Sequence, residues 1–80
     1  MKAKVLIRYR EDTPDAQGRV TYERLLDFGF HEVKEVKVGK LIELELDAVD
    51  RDHASARIKQ MCEKLLANVI VEEFEIQSVS

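Results

Sequence analysis

Apolar and charged positions alternate as the chain opens. Val5, Ile7 and Tyr9 fall on one side of "KVLIRYR", and Lys4, Leu6, Arg8 and Arg10 on the other. A period of two predicts a strand. "EDTPDAQG" then supplies the only proline and a glycine, so it reads as a loop feeding a helix, with Asp15 or Thr13 able to accept from the first free amides. In "GRVTYERLLDFG" the period changes. Val20, Leu25 and Phe28 gather on one side with Thr21 and Arg24 between them, and Gly29 is placed to end the helix in the left-handed conformation. Alternation returns in "HEVKEVKVGKLIELELD", which predicts two strands joined by a tight turn at Gly39. In the second of them, aliphatics face in and carboxylates face out. "DAVDRDHASARIKQMCEKLLAN" predicts a second helix capped by Asp50 or Asp52. Ala54, Ile58, Met61, Cys62 and Leu65 fall within roughly a 100° arc, and Asn68 stops the helix. "VIVEEFEIQ" is the closing strand, with Ile70, Phe74 and Ile76 on one parity.

The predicted order is βαββαβ in a single domain, residues 1–80. This is an α+β chain of the split-βαβ, ferredoxin-like kind: an antiparallel sheet with two helices on one face. Right-handed crossovers place the first and third strands at the centre. Leu6, Leu41 and Val71 then have the parity of the far face, and an exposed apolar face needs a cover. A second copy of the chain, or another protein, would supply it.

Composition narrows the function classes. Eighty residues leave little room for a deep pocket. Net charge is −3, and Lys2, Lys4, Arg8 and Arg10 are spaced as the solvated face of a strand, not as a stripe that neutralises phosphates; no nucleic-acid partner is expected. No apolar run approaches the roughly 20 residues of a membrane span. One cysteine cannot form an internal disulfide, which fits the cytosol. Cys62 lies inside an apolar arc, where a thiol is core filler and not a nucleophile. His31 and His53 lack a second ligand at metal spacing, and "DRDH" reads as a helix cap. "VGK" lacks the glycine and hydroxyl of a phosphate loop. The chain therefore presents no catalytic set, no metal site and no cofactor site of its own.

Four pieces in order resemble the PurS family, the small subunit of phosphoribosylformylglycinamidine synthase: "DAQG" before the first helix, "FGF" at its end, "VKVGKLIELEL" across the middle strands, and "MCEKLLAN" in the second helix. Ala16 and Val69 stand where that family usually has proline, which leaves each turn less preset. The resemblance implies a non-catalytic subunit of a purine-biosynthetic ligase. Such a subunit docks a glutaminase subunit to a large synthetase subunit that uses ATP and magnesium, assists ammonia transfer, and self-associates as a dimer or tetramer. It further implies that Asp15, Gln17, Gly18, Gly39 and Lys40 are partner-facing. Arg24, placed among apolar residues, is a candidate to pair with a carboxylate across an assembly contact. The alternative is a free-standing small-molecule-binding regulatory module of the same fold.

Overall fold

A computed structural model describes residues 1–80. Three strands form one antiparallel sheet: β1 (Lys2–Tyr9), β2 (Gly39–Glu45) and β3 (Glu72–Val79), in the order β2-β1-β3. Helix α1 (Ala16–Asp27) follows β1. Helix α2 (Arg51–Met61) follows β2 and runs on into a π-helical turn, Cys62–Leu66. Val5 lies opposite Ile42 on one side and Ile76 on the other, and Ile7 opposite Phe74. The register with β3 slips between Lys4 and Val5, leaving Gln77 as the extra residue of a bulge.

The core lies between the sheet and α2. Ala3, Val5 and Ile7 of β1 are buried against Ile58 and Cys62, and Ile42, Leu44, Phe74 and Ile76 pack around them. Complete burial of Val5, Ile7 and Ile58 contributes roughly 1.5–3 kcal/mol each. Ala54, Ile58 and Cys62 follow at i, i+4 and i+8, as the apolar arc predicts. Asp50 caps α2, its Oδ1 accepting from the His53 amide at 2.8 Å, and His53 Nδ1 accepts in return from the Val49 amide at 3.3 Å. The histidine is thus used as a cap.

Leu65 departs from the predicted arc and is 84% exposed. The Ala67 amide reaches back five residues to the Cys62 carbonyl at 3.1 Å. That wider turn re-phases the helix, so that Leu66 and Ala67, not Leu65, follow Cys62 into the core. The last strand also begins later than expected. The Asn68 carbonyl accepts from the amides of Val71 and Glu72, and its side chain accepts from Ile70, so Val69 and Ile70 occupy a turn and Ile70 lies in solvent.

Two larger differences concern the middle of the chain. The predicted βαββαβ order is kept, but the second of its four strands, residues 31–38, has no ladder partner within the chain. The other three hold the expected neighbours, so β2, expected to be central, has a free edge where the fourth would lie. Gly39 makes no tight turn: Gly29 is the only residue at positive φ, and residues 35–38 run on past the end of β1 beside Tyr9 and Arg10. A strand that continues in line cannot fold back to pair with its own extension. The second difference is α1. Only α2 covers the sheet; α1 makes no substantial packing contact with any strand or with α2. Val20 and Phe28, expected to be its buried side, are 55% and 72% exposed. The molecule measures 50 × 25 × 14 Å with a radius of gyration of 15.8 Å, against about 12 Å for a compact chain of this length.

Burial raises the Cys62 thiol pKa, and the neighbouring Glu63 carboxylate adds to the effect. A thiol reagent should therefore label Cys62 at a rate limited by unfolding. Cys62→Ala should cost on the order of 1 kcal/mol through lost packing. Labelling kinetics in native buffer and in denaturant check this; equal rates would contradict it.

Candidate functional site

The sequence-selected residues meet where α1 leaves the body. After β1, the Arg10 side chain donates through Nε and Nη2 to the Val69 carbonyl, at 3.2 and 2.9 Å, and the Arg10 amide donates to Val71. This ties the start of the loop to the turn before β3. Five residues on, Asp15 caps α1. Its Oδ1 accepts from the Gly18 amide at 2.9 Å and its Oδ2 from the Val38 amide at 2.8 Å. One carboxylate thereby joins the outgoing helix to the returning chain 23 residues later. The bond from Val38, then that from Gly18, holds the Asp15 carboxyl below the usual carboxylate range, with a smaller opposing effect of burial.

Gly18 is the only buried residue of α1. A Cβ there would lie 2.6 Å from the Val36 carbonyl oxygen and would also strike the Asp15 carboxylate. Glycine in a helix costs about 1 kcal/mol in propensity relative to alanine; here that cost permits the helix to touch the returning backbone. Gly39 behaves alike at the sheet. A Cβ on it would stand 2.6 Å from the Ile7 carbonyl oxygen. At its far end α1 stops as expected. Gly29 has φ +96°, its amide donates to Leu26, and the Phe30 amide donates to Leu25, which together make a Schellman close.

Gln17, Gly39 and Lys40 share a cleft of about 160 Å³ with Tyr9 and Glu72. Asp15, Val36 and Val38 border a second, of about 180 Å³, with Arg10 and Lys37. Five of the six chosen residues thus converge on one joint. Arg24 does not; it lies exposed in the last turn of α1 with no carboxylate partner in the chain. Gln17, Lys40 and Arg24 present their side chains outward, whereas the polar atoms of Asp15 are used inside the chain.

Sequence reading missed a third cleft, of about 350 Å³, at the opposite end of the sheet, lined by Lys2, Lys4, Glu43, Glu45, Ser78 and Ser80. The signal was present in the parity of Lys2 and Lys4 against Glu43 and Glu45. Beyond it the outer sheet face carries Arg8 between Glu73 and Glu75, at 3.3 and 3.7 Å, and Leu41, half exposed. No three His, Cys, Asp or Glu side chains are grouped to hold a metal ion, and no helix is long and apolar enough to cross a membrane.

The family model PurS, described as phosphoribosylformylglycinamidine (FGAM) synthase, matches residues 2–80. The chain belongs to the PurS family. The PurS subunit of FGAM synthase from Bacillus subtilis is 37% identical over 76 residues, covering 95% of this chain and 89% of that one. PurS from Thermotoga maritima superimposes with a TM-score of 0.88 at 32% identity, over 98% of this chain and 90% of that one. A chain in the structure of PurLQS from the same organism gives a TM-score of 0.84 at 32% identity, over 99% of each. On the PurS pattern, "DAQG" is the stretch that makes the joint: Asp15 spans it and Gly18 lets it close.

Because folding depresses the Asp15 pKa, the unfolded chain binds this proton more tightly, and its contribution to stability rises with pH. That contribution is complete above about pH 4 and is lost as pH falls from there through the lower folded value. Asp15→Ala should lower the unfolding midpoint at pH 7 and remove this part of the acid sensitivity. Denaturant titrations from pH 2 to pH 7 check it; parallel pH profiles for the two proteins would contradict it.

Proposed function

We propose that this chain is the non-catalytic small subunit of a cytosolic FGAM synthase. It docks a glutaminase subunit to a synthetase subunit that uses ATP and magnesium, and assists ammonia transfer in converting formylglycinamide ribonucleotide to its amidine. The observation that carries the reading is the end-to-end match to a chain of the PurLQS structure, 99% of each. The physical chemistry agrees. Ammonia in neutral water is mostly ammonium, which has no lone pair to attack with, so an enclosed, dry route preserves the reactive form. A rigid adaptor that seals such a route needs surface, not catalytic groups.

The chain acts as a homo-oligomer. Its accessible surface is 6233 Å², whereas a compact monomer of this mass exposes about 5,000 Å². The excess, on the order of 1,200 Å², exceeds what one partner contributes to a standard interface, about 800 Å². Val20, Phe28 and Phe30 are uncovered on and after α1, and the β2 edge is unpaired. A second copy carries the matching elements and supplies the cover.

Reconstitution tests the assignment. Glutamine-dependent FGAM formation should require this chain together with both larger subunits, while the chain alone turns over nothing. Full glutamine-dependent activity without it would overturn the reading. Sedimentation velocity tests the self-association: a dimer or tetramer is expected, and a monomer at all concentrations would contradict it.

A further inference from the structure

The segment from Ala16 to Val38 leaves the body as an arm, a helix out and an extended chain back. Little of the body packs along it, since α1 makes no substantial packing contact with the sheet or with α2. Its direction must therefore be set at its root, and the root is sparsely built. Two clefts of about 160 and 180 Å³ flank it, each lined by residues of both arm and body. Three close approaches define it: the Asp15 carboxylate takes the Gly18 and Val38 amides, Gly18 seats α1 on the returning chain at the Val36 carbonyl, and Gly39 seats the continuation of that chain on β1 at the Ile7 carbonyl.

We propose that Asp15, Gly18 and Gly39 are positioning residues that together fix the angle at which the α1 arm leaves the sheet. The two carboxylate oxygens have separate duties. Oδ1 caps the helix, and Oδ2 holds the returning chain. Gly18 removes the side chain that would wedge the helix from the returning chain, and Gly39 the one that would wedge β2 from β1. Geometry makes the angle consequential. The 12 residues of α1 extend about 18 Å, so a 10° change at the root moves the tip by about 3 Å. Packed interfaces tolerate far less. The consequence for assembly rests on the self-association proposed above; the setting of the angle does not.

Asp15→Asn separates the two duties. Asparagine is a good helix cap, but its amide nitrogen is a donor and cannot accept from Val38. Gly18→Ala instead forces a Cβ toward the Val36 carbonyl. Spin labels at Arg24→Cys and Gln77→Cys, in a Cys62→Ala background diluted with unlabelled chain, report arm against body by pulsed electron resonance whether or not the chain self-associates. The parent should give one narrow distance distribution. At least one of Asp15→Asn and Gly18→Ala should shift it by about 2 Å or more, or double its width, while amide exchange at Val5, Ile7 and Ile58 stays as in the parent. A narrow, unshifted distribution in both variants would overturn the proposal, as would loss of protection at Val5, Ile7 and Ile58 whenever the distribution changes. A monomeric parent with shifted variants would sink the self-association reading and leave the joint standing.

Discussion

One carboxylate joins the two halves of this molecule. Asp15 accepts from the first turn of α1 with one oxygen and from Val38 with the other. It thereby sets the start of the helix and the path of the chain that enters β2. An amide left without a partner at such a crossing would be costly, and no other side chain is placed to serve both. The buried Gly18 is the counterpart of that bond: only a residue without a Cβ lets the helix come close enough for one side chain to reach across.

Around this joint the chain divides its labour. The body, three strands and α2, holds the fully buried aliphatic side chains, Val5, Ile7 and Ile58, with Cys62 among them. The arm has only half-buried aliphatics, Leu25, Leu26, Val33, Val36 and Val38, and leaves Val20, Phe28 and Phe30 uncovered. A small core and a large uncovered surface are poor design for a solitary domain but suit a subunit. Membership of the PurS family, and a match running the length of a chain in PurLQS, fit that division.

What could be read from the sequence was local. The caps at Asp15 and Asp50, the left-handed Gly29, the burial of Cys62 and the parity of β1 and β2 depend on residues a few positions apart, and all appear. The residues that the resemblance singled out in "DAQG" and "VGK" lie together at the joint, although Gly39 makes no turn there. What could not be read depends on distance or on a partner. The alternation in residues 31–38 is that of a strand, yet the segment runs on in line with β2 and cannot fold back onto that strand's free edge. The apolar stripe of α1 is that of a packed helix, yet its cover is not on the sheet. Leu65 and Ile70 were misplaced for a smaller reason: a π turn and an Asx turn each shift the phase, and neither leaves a clear mark in the pattern.

The proposed division of the chain into a self-sufficient body and an arm covered by a second copy is tested most directly by amide hydrogen exchange across a dilution series. Protection at Val5 and Ile7 in β1 should stay constant from high concentration to low. Protection at Tyr22 to Leu26 in α1 should fall as the oligomer dissociates. Protection in α1 that matched β1 at every concentration would contradict the account.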